Sequence, residues 1–94
     1  MHTIVVTFAL RDIDDAGFRD AAAAAAPAFA AVPGLRQKIW LADAAGGTYG
    51  GVYLFESAED AEGYLASDLF AGAVAGNPHL ADVAVRRAAV MAVT

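Results

Sequence analysis

Residues 3–10 read TIVVTFAL, and the pattern of this stretch decides the fold. β-branched side chains dominate it, which is typical of a β-strand. Ile4 and Phe8 fall on one side of such a strand, whereas Val5 and Ala9 fall on the other. Because neither side is strongly polar, the pattern predicts a central strand that is covered on both faces.

A helix is predicted to follow this strand, from about Asp15 to Ala31. The acidic residues before and at its start suit the free amide hydrogens and the positive end of the helix dipole. Its apolar stripe at helical spacing comprises Phe18, Ala22, Ala25, Phe29 and Val32. Pro27 lies inside the helix and removes a backbone hydrogen bond, so we expect a kink or a break there.

The rest of the chain is predicted to form three strands and a second helix. The strands cover Leu35–Asp43, Thr48–Glu56 and Ala81–Val93, and the helix begins after Ser57. Asp60 stands three residues after Ser57, as in a capping box. A glycine pair at 50–51 inside the third strand indicates a bulge or a close approach of backbone or ligand.

The resulting order is strand, helix, strand, strand, helix, strand. It predicts one α+β domain over residues 1–94, a ferredoxin-like βαββαβ unit with a four-stranded antiparallel sheet. Right-handed crossovers place the first and third strands at the centre, where we expect these two to run parallel. Both helices cover one face only. Because the other face is also apolar, we predict a homodimer in which a second copy covers it.

Composition excludes several classes of function. The chain has 94 residues, a formal net charge of −5 and six basic residues without a dense cluster. A nucleic-acid footprint needs a basic face, and an anionic membrane surface attracts basic segments, so neither partner is expected. No apolar run reaches the ~20 residues that cross a bilayer, and the start of the chain lacks the pattern of a signal peptide.

The absence of cysteine excludes disulfides and thiolate chemistry and fits a cytoplasmic protein. The two histidines, His2 and His79, show no metal-ligand spacing, so no metal site is predicted. Both are expected at the surface. His79 precedes the last strand and would serve as a base at a pocket mouth if its loop folds inward.

Four short motifs together resemble a known family. They are Pro33-Gly34-Leu35, Lys38-x-Trp40, Gly51-x-Tyr53-Leu54-Phe55 and Ala61-x-x-Tyr64-Leu65. In this order, over about residues 3 to 93, the chain resembles the YdhR-like monooxygenases of the dimeric α+β barrel superfamily, which also contains the antibiotic-biosynthesis monooxygenases.

The resemblance implies a dimer with facing sheets and one pocket per subunit between sheet and helices. It also implies oxygenation of a phenolic or polycyclic compound without metal, flavin or other cofactor. Relatives often carry a histidine in the first strand or in the second helix before an aromatic residue. The matching positions here are Thr7 and Leu69, with Phe70 as the aromatic, so these three become candidate substrate-binding residues.

Trp40 and Tyr53 are the candidate catalytic residues. An indole wall would stack against a flat substrate, and a phenol would hydrogen-bond to a phenolate. Tyr53 also stands near Gly51, where space opens. Tyr49 and Tyr64 are further candidates for substrate binding. For all four aromatics the competing interpretation is an ordinary place in the core or the dimer interface.

Four cations lie on predicted strands: Arg36, Lys38, Arg86 and Arg87. One that faced a pocket would stabilise an anion and lower the pKa of a substrate. The competing interpretation is a surface or intersubunit ion pair for each.

Three hypotheses for function stay open. The first is a cofactor-independent monooxygenase that acts on a small aromatic or polyketide-like compound. The second is a non-catalytic module of the same fold that binds small molecules or responds to stress, and the third is a purely structural dimer. The first predicts a pocket of roughly a few hundred cubic ångströms beside Trp40 and at least one tyrosine. A pocket too small for an aromatic ring would exclude it.

Overall fold

The structure is a computed structural model that describes all 94 residues. Its strands are β1 (His2–Leu10), β2 (Leu35–Asp43), β3 (Thr48–Phe55) and β4 (Leu80–Ala89). Its helices are α1 (Asp15–Ala30), α2 (Ala58–Leu65) and the single turn α3 (Asp68–Phe70), which continues into a π-helical turn at Ala71–Ala75. None of these helices has both the length and the apolar character required to cross a bilayer.

The four strands form one sheet in the order β2-β3-β1-β4, with every neighbouring pair antiparallel. This confirms the ferredoxin-like α+β fold. The expectation of parallel central strands was wrong, because β1 and β3 pair antiparallel. The α1 crossover joins β1 to β2, which run parallel with β3 between them. The α2 crossover joins β3 to β4, which run parallel with β1 between them.

Helix α1 follows the sequence-based prediction closely. The carboxylate of Asp14 accepts a hydrogen bond of 2.7 Å from the Gly17 amide and caps the first turn. The helix continues through Pro27, so the alternative of a break was wrong. Pro27 and Ala23 both lie on the exposed side, where water can bond the freed carbonyl, while buried Phe29 holds the last turn on the core.

The core lies between the two helices and one face of the sheet. It contains Ile4 and Val6 from β1, Tyr53 and Phe55 from β3, and the two phenylalanines of the α1 stripe, all of them less than a tenth exposed. Ser57 caps α2, since its hydroxyl accepts a 3.1 Å hydrogen bond from the Asp60 amide. This cap orients α2 so that Tyr64 points into the core.

The fourth strand is shorter than predicted, because it ends at Ala89 rather than Val93. Its only neighbour is β1, and Ala89 already pairs with the first residue of that strand, His2. Beyond this point no backbone partner remains except the Met1 carbonyl, which accepts a 3.0 Å bond from the Val90 amide. Residues 90–93 then border a groove on the helix-free face of the sheet.

That helix-free face, hereafter the open face, carries an apolar patch. Alternation along the strands places on it Val5 of β1, Ile39 of β2, and Val52 and Leu54 of β3, which lie side by side in the register. Ile39 is 48% exposed. No helix of the chain covers this surface.

Candidate active site

A partly open cavity of about 170 Å³ lies between α1 and the sheet. Its wall is mostly apolar and aromatic, with Phe8, Phe18, Ala22, Phe29, Trp40 and Val74. Besides the indole N–H of Trp40, the polar groups that reach it belong to Lys38, Tyr53, Asn77 and His79. A mostly apolar hollow with a few convergent polar groups is the usual form of a small-molecule site.

Both candidate catalytic residues line this cavity. Trp40 is on β2 and Tyr53 on the neighbouring β3, and both project toward the helices. The Trp40 ring meets Phe29 of α1 edge-on, with ring centroids 5.2 Å apart. Such an edge contact fixes the indole plane, so Trp40 presents a rigid wall.

Lys38 is surrounded by aromatic rings. Its Nζ lies 3.2 Å from the centroid of the Trp40 ring, 3.3 Å from that of Phe29 and 4.7 Å from that of Tyr53. Ring faces attract a cation, but they replace water poorly. Burial therefore lowers the pKa of the Lys38 amine to about 7.

No carboxylate pairs with Lys38. The three ion pairs of the chain join Arg19 to Asp15, Arg36 to Glu56 and Arg87 to Glu62. For Arg36 and Arg87, the surface ion pair of the competing interpretation is therefore what the structure shows. For Lys38 that interpretation was wrong, because the side chain lies over the interior of the subunit.

Gly51 makes room for the lysine. A Cβ at this position would lie 3.0 Å from the Lys38 Cε and 3.3 Å from Cε1 of the Tyr53 ring. A larger residue would therefore require the end of the Lys38 side chain to shift. The glycine pair thus does mark a close approach, by a side chain of the neighbouring strand.

The phenols of Tyr53 and Tyr64 form a buried pair, with their hydroxyl oxygens 2.8 Å apart. Burial raises the pKa of both phenols, and for Tyr64 the hydrogen bond to Tyr53 raises it further. Both stay protonated at neutral pH. One of the two hydrogens is used within the pair, so the pair retains one O–H that can be donated elsewhere.

His79 stands where the cavity meets the surface. Its side chain is exposed, and its Nδ1 lies 3.0 Å from the Arg11 carbonyl oxygen. A carbonyl only accepts, so Nδ1 carries the hydrogen of this bond. The amide of His79 in turn donates to the Asn77 side chain at 2.9 Å, and Asn77 donates to the Ala73 carbonyl of the π-turn at 3.1 Å.

The five residues predicted to bind substrate lie outside this cavity. Thr7 is on the open face, because it alternates with the buried Val6 and Phe8. Tyr49 donates a 2.8 Å hydrogen bond to Asp15. The remaining three lie around α2 and the turn that follows it: Tyr64 and Leu69 border a groove at the end of α1, and Phe70 packs on Tyr64 with centroids 5.4 Å apart.

Sequence reasoning named Lys38 only as one of four strand cations, and it did not include Lys38 among the candidate catalytic or substrate-binding residues. The signal was present as Lys38-x-Trp40 on one strand and Gly51 on the next, but pairing register is needed to bring them together. On the outer side of Lys38 lies a surface groove of about 340 Å³, which shares Phe29, Lys38 and Trp40 with the cavity. These three side chains therefore border both hollows. No three His, Asp or Glu side chains come together as a metal-binding group.

A family model described as "Putative mono-oxygenase ydhR" matches residues 4–93. The chain belongs to the ydhR family. This confirms the resemblance drawn from the four motifs, since the match extends from β1 to the C-terminal segment. A comparison of the ydhR-family chain with curated proteins finds no match.

Solved structures support the fold of this ydhR-family protein. A "putative antibiotic biosynthesis monooxygenase" from Deinococcus radiodurans superposes with a TM-score of 0.81 at 14% identity, covering 100% of this chain and 96% of the other. SnoaB, a cofactor-independent oxygenase from Streptomyces nogalater, gives 0.76 at 18% identity, with 98% and 94% covered.

MhuD, in a structure with two manganese protoporphyrin IX molecules per active site, gives a TM-score of 0.79 at 19% identity, with 100% and 98% covered. At these identities the likeness concerns the fold alone.

Proposed function

We propose that this protein is a cofactor-independent monooxygenase of small aromatic compounds, which it binds in the cavity between α1 and the sheet. The observation that carries the proposal is the mostly apolar cavity beside Trp40 and Tyr53 in a ydhR-family chain. An apolar lining of this kind suits an oxygen reaction, because it limits the contact of water with reactive intermediates.

The volume fits one aromatic ring. A dry protein cavity of about 150 Å³ suffices for benzene, and this cavity measures about 170 Å³. It is smaller than the few hundred cubic ångströms expected from the sequence. A polycyclic substrate would therefore place its reacting ring inside and extend past Lys38 into the surface groove.

The chemistry proposed needs no external reductant. A methylene between two electron-rich rings becomes a carbonyl when one oxygen atom of O₂ enters the product and the other leaves as water with both methylene hydrogens. All four electrons for O₂ reduction come from the substrate carbon. The protein has to hold the ring against Trp40, donate a hydrogen bond from the Tyr53–Tyr64 pair to the substrate oxygen, and exclude water.

The test is oxygen uptake with a panel of phenols, hydroquinones and anthrones, with product identified by mass spectrometry after reaction under ¹⁸O₂. We expect uptake with wild type and a loss of roughly tenfold or more in kcat/KM for Trp40→Phe and Tyr53→Phe. Tyr49→Phe is the matched control, because it removes a phenolic hydroxyl that lies outside the cavity.

If compounds of the panel bind tightly but none of them supports oxygen uptake, the proposal is contradicted. It would favour the non-catalytic binding module instead. If Tyr49→Phe loses as much activity as Tyr53→Phe, the cavity is not the site of the reaction.

We also propose that the working form is a homodimer in which the open faces of two copies meet. The support is the contiguous apolar patch of Val5, Ile39, Val52 and Leu54, which no helix of the subunit covers. Light scattering of wild type and of a variant with a charge on this face tests the dimer.

A further inference from the structure

We propose that Lys38 is the catalytic base of this site and that the site selects weakly acidic phenols. The free amine of Lys38 takes the phenolic proton, and the resulting ammonium holds the phenolate. This inference rests on the proposed function, since it assigns a residue and a substrate class to the same cavity. In the step, the substrate O–H bond breaks, a new N–H bond forms on Nζ, and no electrons are gained or lost.

The first support for Lys38 as the base is the position of its amine. Its Nζ lies against Trp40, Phe29 and Tyr53, and all three of these rings also line the cavity. A phenol that stacks on Trp40 therefore brings its hydroxyl near the only amine of the site. Gly51 keeps the lysine stem in this position, because it leaves the space below Cε free.

The lack of a carboxylate partner is the second support. A lysine in an ion pair keeps its proton and its partner, whereas Lys38 is in none of the ion pairs of the chain. It is surrounded by rings that stabilise the ammonium without accepting a hydrogen bond. A bound phenolate would give the ammonium an anionic partner, and in a partly buried site such a pair is stronger than in water.

Burial supplies a further support, because it sets the pKa of the amine at about 7. A base is most effective when its pKa is near the working pH. At neutral pH a substantial fraction of Lys38 is therefore uncharged and able to accept a proton, which is not true of an exposed lysine.

The other ionisable groups around Lys38 do not compete with it for this role. From β3, the Tyr53 phenol stays protonated with Tyr64 behind it. Helix α1 contributes only Phe18, Phe29 and alanines to the two hollows, and none of these ionises. On β2 itself, Arg36 is exposed and paired with Glu56. His79 is the one other base at the cavity, and it lies at the exposed mouth.

The main experiment uses 4-nitrophenol as a probe, because its phenolate is yellow and its neutral form is not. In a mildly acidic buffer, in which the free probe is neutral, wild type is expected to bind it as the phenolate. Lys38→Met, which keeps the length of the stem and removes the amine, is expected to bind it only as the neutral phenol. Both proteins should bind 4-nitroanisole, which has no acidic proton, with affinities within about threefold, and this also shows that the variant is folded.

Kinetics supply the second readout. With any phenol that supports oxygen uptake, kcat/KM of wild type should rise with pH through about 7 and then level off, since the uncharged amine is the active form. Lys38→Met should lose about 100-fold or more. Lys38→Arg keeps the charge but cannot release its proton, so it should ionise bound 4-nitrophenol and still lose activity. His79→Gln, at the other base that lines the cavity, should leave the midpoint of the pH profile near 7 whatever its effect on the rate.

The outcomes separate the two proposals. If wild type binds 4-nitrophenol only in its neutral form, or fails to bind it, the role of Lys38 is overturned. The same holds if Lys38→Met oxidises phenols as fast as wild type. If wild type ionises the probe through Lys38 but no compound supports oxygen uptake, the oxygenase proposal fails and the phenolate site stands.

Discussion

At the scale of single residues, the tyrosine pair links the cavity wall to α2. The hydroxyls of Tyr53 and Tyr64 are 2.8 Å apart in the core, and both residues are 2% exposed. Removing one hydroxyl leaves the other buried without its partner, whereas removing both leaves none unpaired.

We therefore predict that Tyr53→Phe and Tyr64→Phe each lower the free energy of unfolding by about 1–3 kcal/mol, and that the double variant loses clearly less than the sum. Urea denaturation of the four proteins measures this cycle. Strict additivity would show that the two hydroxyls do not depend on each other.

The contribution of Asp15 to stability depends on pH. Hydrogen bonds from Arg19 and then Tyr49 lower the pKa of its carboxyl below the ordinary 3.8. A lowered pKa in the folded state means that Asp15 contributes stability above its unfolded pKa and loses it as the pH falls through the folded value.

Asp15→Asn is accordingly expected to destabilise most at neutral pH, with a difference from wild type that shrinks below about pH 4. Chemical denaturation over a pH series measures it. Asp20→Asn, which removes an exposed carboxylate from the same helix, is the control. A difference that grew on acidification would contradict the expected sign of the effect.

At the scale of elements, the two glycines of β3 are needed for different reasons. Gly50 has a φ of +148°, and a Cβ there would lie 1.9 Å from the Val6 carbonyl oxygen of β1. Gly51 has an ordinary φ, and its Cβ would meet the flexible end of Lys38. Gly50 therefore permits the close pairing of β3 with β1, and Gly51 leaves the space that the end of Lys38 occupies.

Gly50→Ala is predicted to cost at least about 2 kcal/mol of stability or to prevent folding. Gly51→Ala should keep the melting temperature within about 5 °C, because the lysine end can move, while oxygen uptake and the ionisation of bound 4-nitrophenol fall. Thermal unfolding and the probe titration distinguish the two. Equal damage to stability in both would contradict this assignment.

At the scale of the whole molecule, the open face decides the assembly. Ile39, which is 48% exposed, lies on the edge strand β2 beside Val52. A charge placed between two such faces would be desolvated without a partner, which is costly.

We predict that wild type is a dimer in light scattering at micromolar concentration and that Ile39→Glu shifts it to monomer. Val85→Glu is the matched control: Val85 is 40% exposed but pairs with Val6 and so lies on the helix side. A monomeric wild type, or dissociation in Val85→Glu alone, would contradict the proposed interface.

The local sequence determined most of the elements. Periodicity placed β1, β2 and α1 within one or two residues, and Ser57 marked the start of α2, because these depend on neighbours within a few positions. The family, too, could be read from four short motifs. Pro27 was misread as a possible break, since the cost of a proline depends on whether water reaches the freed carbonyl, and that depends on tertiary exposure.

Only the tertiary structure decided the site. The direction of the central strands, the end of β4 at Ala89 and the inward position of Lys38 all follow from which strands are neighbours and in what register. A strand whose two faces are both apolar can turn either face to the helices, so the sequence does not determine which face of the sheet lines the cavity. Packing of α1 on one face settled it, because that step buries Phe29 against Trp40 and encloses the lysine between them.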